Sequence, residues 1–221
     1  RVLRYDTRGH GSSGTTPGPY SIAMLADDAV GLLDALGIQK VHFVGLSMGG
    51  MIVQQIGACC LERVYSLSLC DTASEMPPRS MWEERISIAR NRGIDTLVDT
   101  TIQRWFTAPF IARDPQSVEK VRRMILDTGA EGYIACSSAV RDMAQTTMLL
   151  KVKAPTLVIV GRHDPGCTVD QATVIHRMID GSQMVVLEDA AHLSNIEQPQ
   201  AFNNVLRAFI DRADDALPKS A

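Results

Sequence analysis

The sequence lacks the features that membrane, nucleic-acid-binding and disulfide-stapled proteins need. It has no uninterrupted apolar run of about 18 residues and no signal-peptide pattern. Its 22 Lys and Arg are outnumbered by 25 Asp and Glu, so no basic excess attracts nucleic acid or an anionic membrane. The five cysteines are odd in number, and none has Cys-x-x-Cys or Cys/His ligand spacing. We therefore expect buried, reduced thiols, no bound metal and a cytoplasmic location.

Cofactor motifs are also missing. The sequence contains neither the phosphate-binding pattern G-x-x-x-x-G-K-[ST] nor the zinc-protease pattern H-E-x-x-H. Residues 9–14 (GHGSSG) match the dinucleotide pattern G-x-G-x-x-G, but the following TTPGP cannot begin the helix that would hold a pyrophosphate. We expect no cofactor and a small-molecule substrate as the partner, while the oligomeric state stays open.

What the sequence does contain is an alternation of strand and helix patterns. Short apolar runs rich in β-branched residues predict strands at residues 2–5, 41–44, 64–69, 155–161 and 183–187, and helical patterns are found at 22–36, 51–61, 170–179 and 199–211. Such an alternation is typical of a mostly parallel sheet flanked by helices. The fold class is therefore α/β. We expect residues 213–221 to fray.

The predicted domains follow from a change in character along the chain. Residues 75–152 lose strand signals, become helical and carry both tryptophans. We assign them to a helical cap inserted into a core that comprises residues 1–74 and 153–221.

A serine lies at the turn between a predicted strand and a predicted helix, in Gly45-x-Ser47-x-Gly49. A strand that reverses sharply into a helix holds this serine in an unfavourable backbone conformation, and glycines on either side let the turn close. The hydroxyl is then exposed at the end of the strand, and the Met48 backbone N–H can donate to an oxyanion. The alternative is a tight turn with an idle serine.

A serine nucleophile needs a base and an orienting carboxylate. His192 follows the last predicted strand, and Asp164 follows the strand before it, so both belong to the sheet edge where Ser47 lies. Asp71, which also ends a strand, is the rival acid. The other histidines, at positions 10, 42, 163 and 176, are less favourably placed.

The cap offers cations next to apolar side chains. Arg104 precedes Trp105, Arg141 lies in the same helical region, and we take all three as candidate substrate-binding residues. An arginine that faces the cleft would suit a substrate carboxylate through two parallel hydrogen bonds. Ion pairs within the protein are the alternative for either arginine.

With these residues in place, the chain resembles the α/β-hydrolases, and more narrowly the 3-oxoadipate enol-lactonases. The resemblance covers nearly all 221 residues and is carried by five stretches: residues 5–13 (YDTRGHGSS), 45–51 (GLSMGGM), 104–107 (RWFT), 132–142 (GYIACSSAVRD) and 191–199 (AHLSNIEQP). It implies Ser47 as nucleophile, Asp164 as acid and His192 as base, and an enzyme of aromatic-compound degradation.

The resemblance also implies strands that this sequence lacks. The family begins with three further strands, and the loop after the third supplies a second oxyanion donor. We therefore expect the sequence to be a fragment that lacks about 40 to 50 residues at its N-terminus. The expected reaction is hydrolysis of a small, carboxylate-bearing enol-lactone. A carboxylesterase, a carbon–carbon bond hydrolase and a non-catalytic sensor are the alternatives.

Overall fold

The computed structural model describes residues 1–216 and contains one four-stranded sheet. The strands are β1 (Val41–Leu46), β2 (Val64–Cys70), β3 (Thr156–Gly161) and β4 (Gln183–Leu187). They are all parallel and lie in the order β1-β2-β3-β4. Because the strands run in one direction, their carboxyl ends meet at one edge of the sheet, where ligands of open α/β sheets bind.

Helices connect the strands and form the inserted segment. Those that accompany the sheet are α1 (Ile22–Ala35), α2 (Met48–Cys59), α8 (Val169–Met178), α9 (Ser194–Glu197) and α10 (Pro199–Asp215). Between β2 and β3 come α3 (Arg79–Arg92), α4 (Asp95–Trp105), α5 (Ala108–Arg113), α6 (Pro115–Leu126) and α7 (Ala130–Asp142). Short 3₁₀ helices span Leu61–Arg63 and Thr146–Lys151. The predicted α/β class is confirmed.

The two faces of the sheet bury alternate residues of β3. Val158 and Val160 pack in the cluster formed with α1, α2 and α8, whereas Leu157 and Ile159 pack against Phe202 and Phe209 of α10. All six residues of β3 are buried, which explains why this strand is a continuous apolar run in the sequence. The sheet is therefore a rigid support for the residues that follow its strands.

Several local predictions need correction. Residues 2–5 form no strand, because β1 pairs with β2 and no part of residues 1–216 pairs with this run. The helix predicted from Met51 begins at Met48, and the helix predicted to end at Asp211 continues to Asp215, so residues 213–215 are ordered in α10. The rest of the predicted frayed tail, residues 217–221, lies outside the described residues.

The five cysteines are unpaired; three are buried, while Cys59 is exposed and Cys60 partly so, so the expectation of burial is wrong for these two. Within residues 1–216, no helix combines the length and apolar character needed to cross a membrane.

Candidate active site

Ser47 lies at the sharp turn between β1 and α2. Its backbone has φ 55° and ψ −119°, an unfavourable conformation for a residue with a side chain. The turn is held by hydrogen bonds from Ser47 N to Cys70 O, 2.9 Å, and from Thr72 Oγ1 to Ser47 O, 2.8 Å. The Ser47 side chain makes no capping bond to α2. The neighbouring strand thus maintains the strained turn, while the hydroxyl is left for other contacts.

The glycines around Ser47 have unequal roles. A Cβ at Gly45 would overlap the Gly49 carbonyl and lie 2.6 Å from Gly50 N, and a Cβ at Gly50 would lie 2.6 Å from Thr72 Cβ. A Cβ at Gly49 would meet nothing within 4 Å. The expectation that both outer glycines of the motif are sterically required is therefore wrong for Gly49. The Gly49 backbone leaves no room for a side chain at Gly45, but there is room for a Cβ at Gly49 itself.

His192 and Asp164 form a buried pair. Asp164 Oδ2 lies 2.7 Å from His192 Nδ1, and Asp164 Oδ1 accepts hydrogen bonds from Gly166 N at 2.8 Å and Cys167 N at 2.9 Å. These two backbone donors fix the orientation of the carboxylate, and the carboxylate in turn fixes the imidazole. With Nδ1 occupied, Nε2 is the nitrogen available to a nucleophile.

Ser47 and His192 line the same cavity, although no hydrogen bond joins their side chains within residues 1–216. Trp105 packs near the imidazole, with ring centroids 5.9 Å apart. Catalytic hydrogen bonds often form at full strength only when substrate binds. Because Ser47 and His192 line one cavity, both side chains can reach a substrate bound there.

Asp71, the rival acid, is close by but has different partners. Its carboxylate accepts from Gly161 N at 2.8 Å and from Ser194 Oγ at 2.5 Å. Burial raises its pKa to about 7; the bonds from Ser194 and Gly161 and the charge of His192 oppose this rise, and the charge of Asp164 adds to it. Asp71 therefore links the end of β2 to β3 and to the start of α9, whereas Asp164 holds the imidazole.

Asp164, Cys167 and His192 bring a carboxylate oxygen, a sulfur and a ring nitrogen within 4.8 Å of one another. These are possible metal ligands. However, Asp164 and His192 already bond to each other, and burial raises the pKa of the Cys167 thiol well above its usual value, which disfavours the thiolate that a metal needs. The chemistry of this set favours the internal hydrogen bond.

A second buried carboxylate, that of Glu197, ties the His192 loop to the inserted helices. Its Oε1 accepts from Ala191 N at 2.6 Å, and its Oε2 accepts from Thr107 N at 3.0 Å and Thr107 Oγ1 at 2.6 Å. Leu193 N also donates to Trp105 O at 3.0 Å. The loop that carries His192 is thus fastened on both sides of the imidazole.

Replacing Glu197 with glutamine should lower the free energy of unfolding by about 1–3 kcal/mol, because an amide oxygen can serve Ala191 or Thr107 but its NH₂ group then faces a donor. Denaturant unfolding measures the change. Thr107→Ser, which keeps the hydroxyl that donates to Glu197 and accepts from Phe110 N, is the matched control and should cost less. Equal stability of Glu197→Gln and the unaltered protein would contradict this account.

The cavity at the carboxyl edge of the sheet has a volume of about 640 Å³. Its wall includes Ser47, Met48, Asp164 and His192, together with residues of the inserted helices: Met81, Trp82, Arg85, Leu97, Thr101, Arg104, Trp105 and Tyr133. The inserted helices therefore supply the wall opposite the sheet.

The arginine predictions have different outcomes. Arg104 lines the cavity as expected, although it also lines a second, more polar cavity nearby. Arg141 does not line the cavity and donates to Asp142, with N–O distances of 2.9 and 2.7 Å, so its selection as a substrate-facing cation is wrong. The adjacent Asp142 neutralises its charge.

The sequence interpretation missed two residues of this region, Arg85 and Glu197. Arg85 follows Trp82 by three positions on α3, a spacing that puts both on one helix face, and both line the cavity. That spacing was a usable signal. Glu197 gave no local signal, because its partners are 6 and 90 residues away.

The remaining histidines have other surroundings. His42 Nδ1 lies 2.8 Å from Ser66 Oγ, and its Nε2 lies 2.8 Å from Asp214. His176 Nδ1 lies 2.7 Å from Ser182 Oγ. His163 lines the second cavity. His10 lines the main cavity, in a loop that forms no helix start.

Comparisons with known proteins agree with this architecture. The chain is 38% identical over 211 residues to the 3-oxoadipate enol-lactonase 2 of Acinetobacter baylyi, covering 96% of this chain and 79% of the relative. The crystal structure of an enol-lactonase from Burkholderia xenovorans LB400 matches with a TM-score of 0.92 at 37% identity, over 94% of this chain and 80% of that one.

An esterase also matches. The structure of a thermophilic esterase from Thermogutta terrifontis, described with malate bound, has a TM-score of 0.88 and 31% identity, over 94% of this chain and 78% of that one. The family model described as "Alpha/beta hydrolase family" matches residues 1–205. The chain belongs to the α/β hydrolase family.

Proposed function

We propose that this chain is a cytoplasmic serine hydrolase of aromatic-compound degradation that opens a small, carboxylate-bearing enol-lactone, 3-oxoadipate enol-lactone, to 3-oxoadipate. The observation that carries the proposal is the meeting of a strained serine with a buried Asp–His pair at one cavity. The proposed nucleophile is Ser47, the base is His192 and the acid is Asp164.

In the proposed reaction, His192 Nε2 takes the Ser47 proton as Ser47 Oγ attacks the lactone carbonyl. Asp164 accepts the Nδ1 proton in a hydrogen bond, which selects the tautomer and stabilises the imidazolium that forms. The Met48 N–H, in the first turn of α2, has no intrahelical partner and can donate to the oxyanion.

The leaving group is an enolate that takes the proton from His192 and ketonises, which draws the reaction forward. A water molecule, deprotonated by His192, then attacks the acyl-serine and releases a 3-oxo dicarboxylate. Each turnover consumes one water and leaves Ser47 and His192 in their starting protonation states. No cofactor takes part.

Two observations support a substrate that carries a carboxylate. Relatives at 34–38% identity are named 3-oxoadipate enol-lactonases. The similar esterase is described with malate, a dicarboxylate. The same esterase also makes carboxylesterase activity the second candidate, since one triad serves both reactions.

Rates on three substrates test the proposal: the enol-lactone, p-nitrophenyl acetate and a vinylogous diketone. We expect kcat/KM for the enol-lactone to exceed that for the acetate ester by about 100-fold or more, since only the lactone carries a carboxylate. Comparable or faster turnover of the ester would indicate a carboxylesterase. Preferred turnover of the diketone would indicate a carbon–carbon bond hydrolase.

A further inference from the structure

Two arginines line the main cavity, and their surroundings differ. Arg104 lies at the boundary between two cavities, near the loop of Asp164: its Nη2 would lie 3.3 Å from a Cβ at Gly166. Its Nη1 contacts Met81 Sδ at 3.7 Å. Arg85, on α3, lines only the main cavity of these two. Arg104 therefore lies next to the loop that carries Asp164, whereas Arg85 lies only in the wall of the main cavity.

Arg85 is held in place by neutral groups. Its Nε donates to Tyr133 Oη at 3.0 Å, and its Nη2 donates to Thr101 Oγ1 at 3.1 Å. These partners come from α7 and α4, so three helices of the inserted segment fix one guanidinium. Two neutral acceptors orient this side chain without cancelling its charge.

Among residues 1–216, the charge of Arg85 has no counter-ion. Within residues 1–216, Arg85 forms no salt bridge, although several other arginines of the same helical segment do. The wall of the cavity is largely apolar and includes Trp82, Ile94 and Leu97. Asp164, the carboxylate in the wall, is already engaged by His192. A half-buried cation in such surroundings is poorly solvated, and an anionic ligand would relieve that cost.

Tyr133 adds a second donor at the same place. Its oxygen accepts from Arg85, and within the described part of the chain its own hydroxyl proton has no acceptor. Tyr133 also lines the cavity. A carboxylate placed here would receive N–H donors from the guanidinium and an O–H donor from the phenol.

We propose that Arg85, with Tyr133, forms the subsite that binds the carboxylate of the substrate, and that Arg104 does not. This inference rests on the proposed function, because it concerns the acyl substrate of the same cavity. It assigns specificity for carboxylate-terminated acyl groups to α3 and α7.

The test compares two esters of equal chain length that differ in a terminal carboxylate: the mono-p-nitrophenyl ester of adipic acid and p-nitrophenyl hexanoate. In Arg85→Ala, KM for the adipate ester should rise about 10- to 100-fold, while KM for the hexanoate changes less than about threefold. Tyr133→Phe should raise KM for the adipate ester by a smaller factor. Arg104→Ala is the matched control and should change both substrates alike.

Arg85→Lys protects the experiment against a folding failure. It keeps the charge but loses the two-pronged geometry, so its KM for the adipate ester should lie between those of the unaltered protein and Arg85→Ala. Equal losses on both esters in Arg85→Ala and Arg85→Lys, or a charge-selective loss in Arg104→Ala alone, would overturn the proposal. These assays need only ester hydrolysis, so they also separate this inference from the proposed function. A protein that prefers the adipate ester to the hexanoate ester but does not hydrolyse the enol-lactone would refute the proposed substrate and still support the carboxylate subsite.

Discussion

Replacing Ser47 with alanine is expected to lower kcat by about 100,000-fold, because the proposed reaction then has no nucleophile and retains only binding and the oxyanion donor. The protein should stay folded, since the Ser47 side chain makes no capping bond and the turn depends on backbone atoms of Ser47. Steady-state rates with the enol-lactone measure the loss. Circular dichroism checks the fold.

Ser68→Ala is the matched control for this change. Ser68 lies in the neighbouring β2, is buried, and its hydroxyl has no hydrogen-bond partner within residues 1–216. Its removal should leave kcat unchanged and should not lower stability. A serine-directed phosphonate should label the unaltered protein and Ser68→Ala but not Ser47→Ala. Undiminished turnover in Ser47→Ala would refute Ser47 as the nucleophile, whereas no turnover above background in either Ser47→Ala or the unaltered protein would favour the non-catalytic sensor.

A strand can be predicted from the sequence where its side chains are buried on both faces of the sheet. The β-branched run of β3 is buried on both faces, and such a run has few alternatives to a central strand. Residues 2–5 show the limit of this reasoning. Their composition favours a strand, but a strand forms only when it makes hydrogen bonds to a neighbouring strand. A short stretch of sequence does not show which distant segment would pair with it.

A site residue can be predicted from the sequence where its role depends on the residues next to it in the chain. Ser47 follows from the steric demands of one turn. The choice between Asp164 and Asp71 does not, because both follow strands and both lie near His192; only the direction of the His192 loop decides which one contacts Nδ1. For Arg141 the alternative stated from the sequence, an ion pair within the protein, is the one observed, because the adjacent Asp142 accepts from its guanidinium.

Replacing Gly45 with alanine should cost about 3 kcal/mol or more of unfolding free energy, at or above the upper end of what overpacking usually costs. The new methyl group would overlap the Gly49 carbonyl and lie 2.6 Å from Gly50 N. These are backbone atoms of the first turn of α2, so neither can rotate away as a side chain would. Relief requires β1 and α2 to separate, which disturbs the turn that holds Ser47.

Gly49→Ala is the matched control, because it adds the same methyl group four residues away, where nothing lies within 4 Å. Alanine is a better helix former than glycine by up to about 1 kcal/mol, so this variant should be as stable as the unaltered protein or slightly more stable. The midpoints and slopes of denaturant unfolding compare the two variants. Equal destabilisation by both would mean that the turn needs the conformational freedom of two glycines, and the distinction drawn from the contacts of Gly45 would be wrong.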